Sequence, residues 1–128
     1  GAGAWQLSNA PVMLMAPHRV ALEQFDRAGM NTLRAKSVAQ TEFLLELLDQ
    51  LSGGGPEVIT PRDPEQRGGQ LSLRFGAEAK GLHEALTQSG VVCDFREPDC
   101  LRLAVAPLYN RFEDLVRFVQ ILQETRHG

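Results

Sequence analysis

The run Gly90-Val91-Val92-Cys93-Asp94-Phe95-Arg96-Glu97-Pro98-Asp99-Cys100-Leu101-Arg102-Leu103-Ala104-Val105-Ala106-Pro107-Leu108-Tyr109-Asn110 constrains the fold more than any other part of the chain. Gly90 stops a helix, because glycine accepts the left-handed backbone at which helices commonly end. Residues 91–95 alternate as a half-buried strand. Glu97-Pro98-Asp99 makes a tight turn, and Leu101, Leu103 and Val105 alternate again. Asn110 then caps a last helix, with Glu113 three residues on to complete a capping box. The buried stripe of that helix is Phe112, Leu115, Val116, Val119 and Leu122. Arg102 faces away from the leucines on either side of it, so the same hairpin that builds core also presents one cation.

The rest of the chain supplies the layer that the hairpin packs against. Ser8 and Asn9 ahead of Pro11 signal a helix start. Leu14, Ala21, Leu22, Phe25 and Ala28 recur at helical spacing as far as a break at Gly29. Pro17 is either accommodated in the first turn or kinks the helix. A second helix is predicted over 30–51, with Leu33, Val38, Leu44, Leu45, Leu48 and Leu51 on its apolar side. Ser52-Gly53-Gly54-Gly55-Pro56 ends it. The period then changes from 3.6 to 2. Residues 57–60 read as a short strand, 61–69 as a loop, and 70–75 as a strand with Leu71, Leu73 and Phe75 on one side. A third helix over 77–89 carries Ala79, Leu82, Ala85 and Leu86 on one stripe. Antiparallel hairpins with helices segregated to one face make an α+β two-layer sandwich with a small, mostly antiparallel sheet.

At 128 residues the chain is the size of one domain. A net charge of -3 with scattered arginines and no basic run argues against nucleic acid. No basic segment followed by an apolar one opens the chain, and its longest apolar-rich run, 11–17, is far too short to span a bilayer. The expectation is a cytoplasmic protein without a membrane partner. Cys93 and Cys100 flank the turn of the hairpin, which could bring them near each other, and two buried free thiols are the expected state. The chain opens at Trp5 with no initiator methionine behind Gly1-Ala2-Gly3, as a piece of something longer would.

Few residues offer chemistry. His18, His83 and His127 are isolated, read as helix-surface side chains, and show no metal-ligand spacing with the cysteines. No nucleophile elbow, P-loop or metalloprotease motif occurs. Arg67-Gly68-Gly69-Gln70 could hold an anion, with an exposed loop arginine as the default reading. Arg102 is different, since an unpaired charge among hydrophobes is costly. Its planar fork suits a carboxylate ligand, and an ion pair with Asp94 across the hairpin accounts for it equally well. Ser8-Asn9 serves either as a helix cap or as polar groups presented to a ligand, and local chemistry favours the cap.

Three stretches together resemble the C-terminal portion of kynureninases: Trp5-Gln6-Leu7-Ser8-Asn9-Ala10-Pro11, then Ile59-Thr60-Pro61-Arg62-Asp63-Pro64-Glu65-Gln66-Arg67-Gly68-Gly69-Gln70-Leu71, and 90–110. Phe25-Asp26-Arg27-Ala28-Gly29-Met30 with Leu33-Arg34-Ala35-Lys36-Ser37 is similar to the same family, so the likeness runs from Trp5 to the end. It implies a homodimeric pyridoxal-phosphate enzyme of the aspartate-aminotransferase fold. Such an enzyme hydrolyses kynurenine, or its 3-hydroxy form, to the corresponding anthranilate and alanine in tryptophan catabolism. The resemblance gives Arg102 the role of clamping the substrate α-carboxylate, and places Asn9, with Ser8, in the loop at the aromatic end of the substrate. Pyridoxal chemistry needs a Schiff-base lysine. The two lysines, Lys36 and Lys80, fall on predicted helix surfaces and at no matching position. The expectation is therefore a C-terminal small domain, residues 5–128, whose partner is its own large cofactor-binding domain. It would hold neither catalytic lysine nor cofactor and would be inactive alone. The rival expectation is a free-standing α+β ligand-binding or regulatory module. Three positions depart from the family pattern: Ala10 and Val105 stand where prolines are usual, and Arg111 where a serine is. Val105 is expected to relax the end of the strand, and Arg111 to add charge near the helix cap.

Overall fold

The computed structural model describes residues 1–5, 8–9 and 11–127, apart from the side chains of Ala2 and His127. It divides into two compact units, residues 1–33 and 34–128. Ala10, one of the departures from the family pattern, lies outside the described residues, as does the His127 side chain.

In the N-terminal unit a 3-10 turn, Ala2–Trp5, precedes helix α1, Val12–Ala28. The predicted helix is present, but Ser8 and Asn9 do not cap it. Pro11 occupies the N-cap position, with no side-chain cap bond. Proline suits this place because it has no N–H to leave unsatisfied. Pro17 lies inside the helix rather than in its first turn, and Gly29, at φ 78°, ends it by donating its N–H to Phe25 O at 2.8 Å. The apolar stripe expected to be buried is not, since α1 buries none of its residues.

Helix α2, Met30–Asp49, leads into the second unit. There β1, Glu57–Val58, β2, Gln70–Arg74, β3, Asp94–Arg96, and β4, Cys100–Ala104, form one antiparallel sheet in the order β1-β2-β4-β3. Helix α3, Ala79–Gln88, follows a 3-10 turn and stops at Ser89 with Gly90 at φ 82°, and α4, Phe112–His127, closes the chain. Leu71 and Leu73 of β2 and Leu101 and Leu103 of β4 share one face. They pack with Leu44, Leu45 and Leu48 of α2, Leu82 and Leu86 of α3, and Leu115, Phe118 and Leu122 of α4. Each such leucine stabilises the fold by about 1.5–3 kcal/mol through transfer from water. The result is an α+β two-layer arrangement with helices on one face of a small sheet, as the change of period predicts.

Three expectations within this unit are corrected. Residues 91–93 are not strand, and only 94–96 pair with β4. Asn110 does not cap α4, because its Oδ1 accepts from the Ala106 N–H at 2.9 Å and closes the loop behind β4. The capping interaction lies one residue on, where the Arg111 N–H donates to Asp114 Oδ2 at 2.8 Å. Val105 does not relax the strand end either. Its side chain is buried in the core and its N–H donates to Gly69 O at 3.1 Å, a bond that proline could not make.

Candidate functional site

Because side chains alternate across a strand, burying Leu101 and Leu103 sends Cys100, Arg102 and Ala104 to the opposite face of β4. The register sets Ser72 of β2 and Asp94 of β3 on either side of Arg102, so the three share one cross-strand row on the face away from the core helices. All three are half-buried. An arginine here reaches water without crossing the core, which removes the cost that made it conspicuous among hydrophobes.

The cross-hairpin ion pair is present. Asp94 Oδ2 accepts from Arg102 Nε at 2.7 Å, again from Arg102 Nη2, and from Arg96 Nε at 2.9 Å. The Arg102 bonds, reinforced by its charge and that of Arg96, hold the Asp94 carboxyl below its ordinary range. Arg102 Nη1 has no hydrogen bond among the described residues. On the neighbouring row, Arg74 is already engaged, with Glu57 at 2.8 Å and Asp99 at 3.4 Å.

The other candidate residues lie elsewhere. Ser8 and Asn9 are exposed in the N-terminal unit, whereas Arg102 belongs to the second. Cys93 and Cys100 are both free and half-buried. Cys100 pairs in register with Arg96 while Cys93 falls before the Asp94–Arg102 pair, so the hairpin does not set them opposite each other. Burial, with the Asp94 charge, pushes the Cys93 thiol up. His83 is half-buried rather than on the surface, with Nε2 3.2 Å from Cys93 O and its ring 6.0 Å from that of Phe95. Among the described residues no group of three His, Cys, Asp or Glu side chains is placed to hold a metal, and no helix is long and apolar enough to cross a membrane.

Arg67 overturns its default reading as an exposed loop arginine. Its side chain is buried, with Nη1 donating to Arg62 O, Nη2 to Thr41 Oγ1 at 3.2 Å, and Glu42 at 4.0 Å. It pins the 61–69 loop to α2, as do Arg34 through Pro64 O and Arg62 through Asp49. The space beside it is tight, since a Cβ on Gly69 would lie 3.0 Å from Ser37 Oγ and 3.2 Å from Val105 O. A matching polar seam on α2 holds the loop after β4. Lys36 Nζ donates to Pro107 O at 2.7 Å and Asn110 O at 3.1 Å, and Gln40 Nε2 donates to Asn110 O at 2.8 Å. Ser37, Gln40 and Thr41 are buried. Their spacing from Leu33 and Leu44 put them on the apolar stripe, a signal that apolar counting passes over.

The lysines do not suit the anchoring of pyridoxal phosphate. Lys36 spends its ammonium group on two backbone carbonyls, and Lys80 is exposed on α3. Between the end of β4 and α4 there is a pocket of about 100 Å³ lined by Leu103, Val105, Leu115 and Phe118, among others. That is well below the roughly 300 Å³ at which ligand sites begin.

The kynureninase C-terminal domain family matches residues 33–122. A kynureninase of Myxococcus xanthus is 54% identical over 123 residues, covering 96% of this chain and 29% of that protein. One of Koribacter versatilis is 48% identical over 120 residues, covering 94% and 28%. The chain thus spans less than a third of the length of these relatives. A solved structure described as a NifS-like protein shares the fold, with a TM-score of 0.65 over 84% of this chain and 30% of that one at 20% identity.

Proposed function

The chain belongs to the kynureninase C-terminal domain family, and on that premise we propose that it is the substrate-orienting part of a kynureninase of the aspartate-aminotransferase fold. Such an enzyme hydrolyses kynurenine or 3-hydroxykynurenine to the corresponding anthranilate and alanine. The observation that carries the reading is the position of Arg102, half-buried on the sheet face away from the core helices and with no hydrogen bond at Nη1 among the described residues. A guanidinium fork takes a carboxylate through two parallel charge-assisted bonds, which fix orientation as well as position. By the family resemblance, Asn9, beside Ser8, would offer an amide donor and acceptor of the kind an aromatic amine and ketone require. Lys36 and Lys80 do not suit the anchoring of pyridoxal phosphate, and that role falls to the rest of the enzyme. What this chain contributes is binding and alignment, which convert an encounter into a reactive geometry.

The test uses the full-length protein assayed with kynurenine and pyridoxal phosphate. Arg102→Ala is expected to lower kcat/KM about a hundredfold or more, the size of two lost charge-assisted bonds at roughly 1.5 kcal/mol each. The 128-residue chain alone is expected to give no turnover. Wild-type kinetics in the variant, or turnover by the isolated chain, would overturn the proposal.

A further inference from the structure

Asp94 explains how Arg102 can be both paired and available. A guanidinium presents five N–H groups along two usable edges, one formed by Nε and Nη2 and the other by Nη1 and Nη2. Asp94 Oδ2 occupies only the first, accepting from Nε at 2.7 Å and from Nη2. The terminal edge keeps Nη1 without a partner among the described residues. The same oxygen also takes Arg96 Nε at 2.9 Å, so one carboxylate charge is shared between two guanidinium groups. The Arg96-Asp94-Arg102 cluster carries one net positive charge, which a simple two-membered ion pair would have cancelled.

From this geometry, and resting on the reading of Arg102 as the carboxylate clamp, we infer that Asp94 is a positioning residue: it holds Arg102 by its side edge so that the terminal edge is presented to the substrate carboxylate. An arginine side chain otherwise rotates about several bonds, and ordering it at the moment of binding weakens affinity. The register makes the device local. Asp94 and Arg102 are direct cross-strand partners, separated in sequence only by a short strand and its turn. Arg96 acts on Asp94 from two residues away on the same face and offsets its charge.

The experiment compares Asp94→Ala, Asp94→Asn, Arg102→Ala and the double variant Asp94→Ala/Arg102→Ala in the full-length enzyme. It measures KM and kcat for kynurenine, and inhibition by the decarboxylated amine of kynurenine, which lacks the group being clamped. Asp94→Ala is expected to raise KM for kynurenine about tenfold, to change kcat less than threefold, and to leave inhibition by the amine unchanged. Asp94→Asn keeps one acceptor oxygen and is expected to hold KM within about threefold of wild type, which a loss of folding would not do. Arg102→Ala abolishes the preference for the carboxylate-bearing ligand, and adding Asp94→Ala to it has no further effect. If Arg102→Ala loses that preference while Asp94→Ala binds kynurenine as wild type does, the positioning role falls and the clamp stands. If Arg102→Ala keeps the preference, the clamp itself is wrong. Tighter binding of kynurenine by Asp94→Ala would make Asp94 a competitor for the guanidinium and overturn the inference.

Discussion

Removing the Arg67 side chain should release the 61–69 loop from α2, and the size of the effect follows from its contacts. The guanidinium donates to Arg62 O and Thr41 Oγ1 with no side-chain exposure. Two hydrogen bonds from a charged donor are together worth about 3–6 kcal/mol. Against this stands the cost of holding a guanidinium away from water with its Nε unpartnered, which leaves a net loss of about 3 kcal/mol for Arg67→Ala. Glu42 adds little, because at 4.0 Å and with half its side chain exposed the pair is a surface ion pair worth about 1 kcal/mol or less. With a urea m-value of about 2 kcal/mol/M, Arg67→Ala should move the unfolding midpoint down by about 1.5 M, read by far-UV circular dichroism, while Glu42→Ala should move it by less than about 0.5 M. Arg67→Met keeps the buried stem and gives up only the bonds and the buried charge, so its loss should be smaller than that of alanine. The reasoning is refuted if Arg67→Ala unfolds within about 0.3 M of wild type, or if Glu42→Ala costs as much as Arg67→Ala.

Two further outcomes are expected. A Cβ on Gly55 would lie 2.5 Å from Leu48 O, a backbone atom that cannot turn aside, so Gly55→Ala should cost about 1–3 kcal/mol in urea unfolding. Gly68→Ala, with nothing within 4 Å of its Cβ, should stay within about 0.5 kcal/mol, and the reverse order would contradict the loop geometry. Arg102 depresses the folded pKa of Asp94, so the stability this carboxylate provides is present above its unfolded value and is lost as pH falls through the folded one. The difference in urea midpoint between wild type and Asp94→Asn should therefore be at full size at about pH 6 and shrink below about pH 4. A difference that holds or grows in acid would show that the pair does not form in solution.

Much of this protein follows from local rules that its residues obey. Alternation of Leu71 with Leu73 and of Leu101 with Leu103 fixes which face of each strand meets the helices, because a strand has a period of two and only one face can be dry. That same alternation exposes Arg102 to the other face, so the candidate clamp was legible in sequence, as was the family. Tertiary structure decided what lies at contacts between distant segments. Arg67 is buried because α2 supplies Thr41 across 26 positions, which no local pattern around Gly68-Gly69 reveals. Lys36 and Gln40 are spent on the 107–110 loop some 70 positions away, and Asn110 serves that loop instead of the helix it precedes. Local sequence also left Arg102 undecided between an ion pair and a ligand site. The cross-strand register bears out the ion pair, since setting Asp94 opposite Arg102 engages the Nε–Nη2 edge of the guanidinium, while Nη1 has no hydrogen bond among the described residues.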